Sequence, residues 1–427
     1  MNIAVIGSGY VGIVTALGLA NKNFNVTNID INKTKVENIK KKNLTIKEPG
    51  LNKLFLKYLN KKYFVTTEYE KCLDSDCIFL AVNTPHKKNG IDLSYLISSC
   101  KKIKNLIRKK NIKKKIIIIV KSTVVPGTLE NKIKPLFKEF PNIYVTNNPE
   151  FLREGSAVKD FINADRIIIG SKEKYVVKNL KKIYKGFRAK KFFVSPTEAE
   201  LCKYYSNLIL SNLIAFSNEF ADVCAKFQKD VSYNNILESF MYDRRFNIKL
   251  KNKFFFPEIY KYLIPGPGYG GSCFPKDTKS FYKFAETKKL NSRILKSIID
   301  QNNQRLENKV KQLRNFKNFC IIGVGFKEGT SDLRESKSIE LMNILKSKSD
   351  NIFYVDKNVD LKNKSFKKID LKKLSEVKID AVVIMNHTTQ TKKYNWKTFS
   401  KRKNCYVFDF RAILKPSEKI KVVGANF

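Results

Sequence analysis

The chain opens on a short apolar run, Ile3-Ala4-Val5-Ile6, which stops at Gly7-Ser8-Gly9-Tyr10-Val11-Gly12. The run predicts a buried strand. The small and apolar residues from Val14 to Ala20 predict a helix packed behind it. A second strand, Val26 to Ile29, ends on Asp30. Apolar runs at Cys77–Val82, Ile116–Lys121 and Ile143–Thr146 predict further strands, with helical or loop segments between them. Strands alternating with helices make βαβ units, and so a parallel sheet covered by helices.

The pattern changes near Glu198. From there to about Phe227 the spacing predicts one long helix, apolar on most of its girth. Such a helix is buried, between domains or between subunits. Lys203 and Asn207 are four residues apart and share a face, and Asn218 falls near it. A buried lysine is costly unless something anionic meets it; the alternative is that Lys203 snorkels to solvent. Residues 228–264 read as irregular and lysine-rich. A glycine-rich loop follows, then a helical stretch to about Leu313. A second strand–glycine-turn–helix pattern opens at Asn318, with Gly323 and Gly325 in its turn. Strands near Ile352–Val355, Ala381–Met385 and Tyr406–Phe408 continue it. The lysine-dense stretch 357–377 reads as a helix and loops on the surface.

Composition adjusts this picture. A chain of 427 residues is too long for one core and suggests two or three domains. Hydrophobic content of 43% is ample for packed interiors. Lys and Arg number 83 against 39 acidic residues, a formal charge of +44. That excess could mark a nucleic-acid or membrane-surface binder. The lysines run along the whole chain, however, and aromatics are not grouped among them as in RNA-binding modules. Lysine also far outnumbers arginine, the usual base reader. A solvated basic surface with pockets for an anionic ligand is the favoured reading, with no nucleic-acid and no membrane partner.

The eight cysteines show no paired spacing, and only His86 and His387 could add imidazole ligands. No metal site is expected. Dispersed cysteines without a secretory signal point to a reducing cytoplasm. Residues 2–6 read as a strand rather than a signal peptide. The run Ile116–Val120 is far too short to span a bilayer.

Two stretches carry chemistry. In Gly7-x-Gly9-x-x-Gly12 the first glycine makes the tight turn, the second lets pyrophosphate approach and the third lets helix pack on strand. The helix N-terminus then meets the phosphates. Asp30, 18 residues past Gly12, is placed to take both ribose hydroxyls and would repel a 2′-phosphate. NAD is therefore favoured over NADP. Strand ends carry Asn83-Thr84-Pro85, Ser122-Thr123 and Asn148-Pro149-Glu150, where ligands sit in open α/β sheets; Thr-Pro and Asn-Pro are also simple turn formers. The second stretch is Gly266-Pro-Gly268-Tyr269-Gly270-Gly271-Ser272-Cys273-Phe-Pro-Lys276-Asp277. Its glycines let backbone approach a ligand closely. A thiol beside a cation and free backbone donors becomes a thiolate more readily than an ordinary cysteine.

These segments resemble the UDP-glucose/GDP-mannose dehydrogenase family. The likeness runs from residue 1 to about 411. It rests on Gly7–Gly12, Glu48-Pro-Gly-Leu51, Val120–Gly127, Asn148–Gly155, Gly268–Asp277 and Gly325–Ser336, six motifs in order. It implies an α/β chain of two Rossmann-like parallel-sheet domains joined by a long central helix and a helical dimerisation region. The implied divisions are an NAD-binding domain over 1–197, the central region over 198–314 and a UDP-sugar-binding domain over 315–427. The implied reaction oxidises the sugar C6 alcohol to a carboxylate with two NAD⁺ and one water. Hydride loss gives an aldehyde, Cys273 adds to form a thiohemiacetal, a second hydride loss gives a thioester, and water releases the acid.

By the same resemblance Lys203 steadies the oxyanion and Asn207 orients that oxygen. Asp277 acts with Thr123 on a water, and Glu150 serves in hydrolysis. The division of base duty among Asp277, Thr123, Glu150 and Lys203 stays open. The cofactor set comprises Gly7, Gly9, Tyr10, Val11, Gly12 and Asp30, with Lys35, Thr84, Thr123, Glu154, Lys276 and Arg334 carried over. The sugar-nucleotide set comprises Phe151, Leu152, Glu154, Lys203, Asn207, Tyr269, Gly270, Lys327 and Arg411. Arg245 is taken as the arginine that reaches the neighbouring site of a homodimer, with Arg244 beside it.

The chain departs from the family in two places. Lys35 stands where arginine is common, which keeps charge but weakens stacking on adenine. Arg245-Phe246-Asn247 replaces Arg-Ile-Gly, and the stretch from there to Gly266 is longer than usual. Three readings compete with oxidation of UDP-glucose: the same chemistry on GDP-mannose or a UDP-N-acetylhexosamine, a noncatalytic nucleotide-binding module, and a two-electron hydroxyacid dehydrogenase. Ser272 and Phe274-Pro275-Lys276 argue against the N-acetylmannosamine enzymes. The presence of Cys273, Lys203 and Asp277 argues against the noncatalytic module.

Overall fold

A computed structural model describes the chain apart from residues 45, 88–89, 228–230, 252 and 425–427 and the side chain of Thr389. The chain divides into two compact units, Met1–Tyr205 and Ser206–Phe427.

The first unit is built on a six-stranded parallel sheet. Its strand order is Tyr63–Thr66, Asn25–Ile29, Asn2–Ile6, Cys77–Leu80, Ile116–Val120, Ile143–Asn147. This is the doubly wound order, with its reversal between the first and fourth strands in sequence. The strands read as unbroken apolar runs because both faces are covered. Ile3 and Val5 pack with Val14 and Leu17 of the helix Tyr10–Asn21 on one face. Ala4 and Ile6 pack with Leu96 and Ile103 of the helix Ser94–Lys109 on the other. A separate parallel pair, Arg166–Gly170 with Lys190–Val194, completes this unit.

The second unit repeats the plan. Its parallel sheet runs Phe366–Lys368, Asn351–Val355, Asn318–Ile322, Ala381–Ile384, Tyr406–Asp409, Ile420–Val422. Phe319 and Ile321 face one core and Cys320 and Ile322 the other. Two Rossmann-like sheets and a long helix are therefore present, as the hydrophobic pattern predicts.

Several details differ from the sequence reading. The stretch 228–264 is not irregular: among its described residues are the helix Tyr233–Met241 and the antiparallel hairpin Ile248–Leu250 with Lys253–Phe255. Residues 228–230 and 252 lie outside the described residues. An aromatic cluster holds this segment, with Tyr242 edge-on to Phe254 and Phe256. The lysine-dense stretch 357–377 contains the edge strand Phe366–Lys368 and one short 3-10 turn, not a helix. The helical stretch after the glycine loop is two helices, Phe274–Thr287 and Arg293–Val310. In the last sheet the helix after the glycine turn begins only at Lys337.

The long helix runs Pro196–Cys224, and the boundary between the units falls within it. Its buried side mixes apolar residues, among them Ala199, Tyr204, Ala215 and Ala221, with polar ones. Glu200, Lys203, Asn207, Ser211, Ser217 and Asn218 are buried, while Leu201, Tyr205, Ile209, Phe216, Phe220 and Val223 are exposed. Those six follow helical spacing and form one apolar stripe.

Candidate active site

In the first unit, the fingerprint lies at the carboxyl end of the first strand, beside the point where strand order reverses. Gly7 has φ +99°, and a Cβ there would come within 2.7 Å of the Ala81 carbonyl oxygen. A Cβ at Gly12 would lie 2.0 Å from the Gly7 carbonyl oxygen. Neither position tolerates a side chain. Gly9 is the N-cap of the helix Tyr10–Asn21 and receives no side-chain cap. The first-turn N–H groups are thus left for an anion. Asp30 Oδ2 accepts from the Ser8 N–H at 2.7 Å and from Lys35 Nζ at 3.3 Å. Its Oδ1 accepts from the Asn32 N–H at 3.0 Å. These residues fit a dinucleotide: a helix N-terminus for phosphates and a fixed carboxylate at the end of the second strand.

Other expected cofactor residues of this unit have partners within the chain. The Thr84 hydroxyl donates to the Thr123 carbonyl at 2.8 Å, which joins two strand ends. The Tyr10 hydroxyl donates to Glu48 Oε2 at 2.5 Å. Glu48 also accepts from the N–H groups of Gly155 and Ala157, at 2.9 and 2.7 Å. Burial and the Glu48 carboxylate hold the Tyr10 phenol far above its ordinary range. Glu48 therefore fastens the segment that carries Glu154 to the fingerprint helix, a role its motif alone did not reveal. Val11 and Glu154 are half-buried.

At the end of the Ile143–Asn147 strand, Glu150 Oε1 accepts from Lys203 Nζ at 2.9 Å, with both side chains buried. Glu150 Oε2 accepts from the Leu152 N–H at 2.6 Å. Burial works to raise the Glu150 pKa, yet it stays below its ordinary value. Lys203, the Leu152 N–H and Lys121 outweigh the loss of water. The Phe151 ring stacks under the Arg166 guanidinium at 4.2 Å, with Lys203 Nζ 5.6 Å from its centroid. Lys203 does not snorkel; its anion is Glu150. Lys121 was not singled out in the sequence. It is buried, bonds Asn148 O and Oδ1 at 3.2 and 3.0 Å, and is pushed down to about 8 by burial.

In the second unit, Cys273 is the N-cap of the helix Phe274–Thr287, and its Sγ lies 3.6 Å from Ser272 Oγ. Asp277, in the first turn, is fully buried. Its Oδ2 accepts from Asn207 Nδ2 at 2.6 Å, and its Oδ1 pairs with Lys276 Nζ. Lys276, expected at the cofactor, is here the partner of Asp277. The structure thus brings Asn207, Lys276, Asp277 and Cys273 together.

The glycines of this loop serve the chain itself. A Cβ at Gly270 would lie 2.2 Å from the Glu335 carbonyl oxygen. The Gly271 N–H donates to the Arg334 carbonyl at 2.9 Å. The motif Gly325–Ser336 therefore packs directly on the cysteine loop. Tyr269 is buried, and its N–H and carbonyl are both tied to Asn302, at 2.7 and 3.2 Å. Arg411 donates to Met385 O at 2.6 Å and Asn386 Oδ1 at 2.5 Å, and burial pushes it down to about 10. It is fixed beside Gly266, whose Cβ would lie 2.9 Å from its Nη1. Arg334 forms a fork on Asp332, and Arg245 one on Asp243 of its own chain; both arginines are largely exposed. Lys327 is exposed.

Among the described residues no group of three or more His, Cys, Asp or Glu side chains could hold a metal ion. None of the described helices is long and apolar enough to cross a membrane.

Comparison with known proteins agrees with this geometry. Three domains of the UDP-glucose/GDP-mannose dehydrogenase family match: the NAD-binding domain over residues 1–188, the central domain over 197–304 and the UDP-binding domain over 320–416. A UDP-glucose 6-dehydrogenase of Rickettsia conorii is 34% identical, covering 100% of this chain and 98% of that protein. One from Bacillus subtilis is 35% identical over 79% of this chain and 76% of its own length. The solved UDP-glucose dehydrogenase of Pyrobaculum islandicum superposes with a TM-score of 0.87 at 30% identity, covering 99% of this chain and 96% of that one. A UDP-D-ManNAc dehydrogenase of Pyrococcus horikoshii shares the fold, with TM-score 0.84 at 24% identity and both chains fully covered. With its fingerprint, its buried carboxylate–lysine pair and its cysteine loop in place, the chain belongs to the UDP-glucose/GDP-mannose dehydrogenase family of NAD-dependent nucleotide-sugar oxidoreductases.

Proposed function

We propose that this protein oxidises UDP-glucose at C6 to UDP-glucuronate, removing four electrons per sugar. The observation that carries the choice of sugar is the full-length similarity to proteins named UDP-glucose 6-dehydrogenase. Gly7, Gly9, Gly12 and Asp30 hold NAD, with Lys35, Thr84, Glu154 and Arg334 around it. Bound NAD⁺ supplies the hydride acceptor for each oxidation. Arg411, Lys327, Phe151, Leu152 and the loop Tyr269–Gly270 hold the sugar nucleotide.

Cys273 Sγ adds to the C6 aldehyde and makes a C–S bond, giving a thiohemiacetal. The covalent adduct lets the same carbon lose hydride again and become a thioester. Water then breaks the C–S bond, and the carboxylate leaves with the thiol restored. Lys203 stabilises the oxyanion that forms at each addition. Asp277, oriented by Asn207, and Glu150, held by Lys203, supply the bases, with Thr123 on the attacking water. The apolar stripe Leu201–Val223 supports a homodimer in which the exposed Arg245 reaches the neighbouring site. The eight free cysteines suit a reducing cytoplasm.

The test offers UDP-glucose, GDP-mannose and UDP-N-acetylmannosamine with NAD⁺ and counts NADH formed per sugar consumed. Two per UDP-glucose is the expected result. One per sugar would sink the covalent route. Turnover of another sugar without UDP-glucose would sink the substrate. Cys273→Ser should stop steady-state acid formation.

A further inference from the structure

Glu200 is an acidic residue buried on the long helix, three residues before Lys203 and so on the same side of it. Its two oxygens are divided between two backbone donors. Oε2 accepts from the Gly127 N–H at 2.6 Å, and Oε1 from the Leu129 N–H at 2.9 Å. These donors lie in the turn Pro126–Gly127 and at the start of the helical segment after it, a few residues beyond Thr123. The segment that carries Thr123 into this turn is fastened to the sheet at its start, where Ser122 Oγ donates to the Val82 carbonyl at 2.6 Å. Gly127, at φ +85°, makes the reversal that aims its N–H at the carboxylate. Thr123, Pro149, Glu200 and Lys203 line one small cavity.

A buried carboxylate is costly unless donors satisfy it. A glutamate turned inward from a helix, with both oxygens spent on backbone donors, calls for a reason. We propose that Glu200 is a positioning residue: it locks the Thr123 turn onto the helix that carries Lys203, so that both meet the reacting carbon in one fixed arrangement. The inference rests on the reading above, in which Thr123 and Lys203 act on the sugar. Removing the carboxylate frees Gly127 and Leu129 and lets the turn drift, while the fingerprint and Arg411 are untouched. Misplacement of about 1 Å costs about 100-fold in rate, through the chemical step rather than binding.

The experiment compares the wild type with Glu200→Ala, Glu200→Asp and Glu200→Gln, using UDP-glucose and NAD⁺. Gln keeps one acceptor of the right length, Asp keeps the charge on a shorter arm, and Ala keeps neither. The expected order of kcat is wild type, Gln, Asp, Ala, with about a 100-fold fall for Ala and KM for both substrates within about threefold. Amide hydrogen exchange at Gly127 and Leu129 should quicken in the same order, and this readout needs no turnover. If the Ala variant does not fold, Gln against Asp carries the comparison. Unchanged kcat in a folded variant, or a fall in kcat that simply follows loss of melting temperature with Gln no better than Ala, would overturn the proposal. A wild type inactive on every nucleotide sugar, with exchange still quickened in the variants, would instead overturn the reading of function.

Discussion

Lys203 Nζ lies 2.9 Å from Glu150 Oε1, and the two side chains are only 5% and 8% exposed. The pair closes on itself inside one unit, and the lysine helps hold the carboxylate in its charged form. The lysine has no need to reach solvent, and the carboxylate stays ionised where burial alone would protonate it.

Lys203→Met leaves the Glu150 carboxylate buried without its cation. Stability should fall by about 3–5 kcal/mol, read by urea denaturation, and kcat by about 100-fold or more. The double variant Lys203→Met, Glu150→Gln should recover most of the stability and none of the activity. Equal stability of the single and double variants would show that the pair does not carry the charge balance described.

Asp30 has two duties. It fixes the Ser8 N–H of the fingerprint, and in the proposed function it presents a negative charge to the ribose. Asp30→Ala should raise KM for NAD⁺ by about 10- to 100-fold, the worth of charge-assisted bonds to two hydroxyls. KM for the sugar nucleotide should hardly move. NADP⁺ should gain relative to NAD⁺, because the repulsion of a 2′-phosphate is gone. An unchanged cofactor preference in initial-rate assays would remove Asp30 from the ribose site.

Glu200 titrates at about 7, raised mainly by burial, against an ordinary value of 4.5. The folded state therefore holds this proton where the unfolded chain has released it. Its contribution to stability is full below pH 4.5, is lost as pH rises to about 7, and is flat beyond. The slope from this one group is at most about 1.4 kcal/mol per pH unit. Glu200→Gln should remove that part of the pH dependence. Denaturation curves for the two proteins should diverge between pH 4.5 and 7 and run parallel at higher pH. Parallel curves throughout would mean the group ionises normally.

The stripe formed by Leu201, Tyr205, Ile209, Phe216, Phe220 and Val223 is exposed along a helix whose inner face mixes polar and apolar residues. A second copy of the chain covers it in the reading given above. Ile209→Glu with Phe216→Glu should bury charge at such an interface and yield a monomer by light scattering. A dimer of undiminished mass would place the contact elsewhere.

The central strands of both sheets were legible because they are buried on two faces and so lack polar interruptions. Of the four edge strands only Ile143–Asn147 was legible. Phe366–Lys368 and Ile420–Val422 are three residues long and carry lysine, which a sheet edge tolerates and a pattern reader takes for loop. The hairpin Ile248–Leu250 with Lys253–Phe255 is exposed on every residue, so it leaves no alternation to find. The fingerprint, Cys273, Lys203 and Asp277 stood out because their residue types are costly or unusual where the pattern put them. Lys121 and Glu200 did not, and Glu48 stood out only as part of a motif, without a role. A charged residue on a helix or at a strand end looks solvated until the fold shows which backbone groups it meets. The long helix reads as buried between domains or subunits, and what its pattern does not show is which charged residues, Glu200 among them, turn inward.

Six of the eight thiols are sealed in the interior. Cys72, Cys77, Cys100, Cys224, Cys320 and Cys405 are each at most 2% exposed, and burial raises every one of them. Only Cys202 and Cys273 keep appreciable surface. An alkylating reagent added to the native protein therefore meets two sulfurs rather than eight. Labelling becomes a count of intact molecules: two equivalents or fewer while the fold holds, eight once it opens. The same segregation keeps the sulfurs of both cores out of reach of oxidants in the solvent.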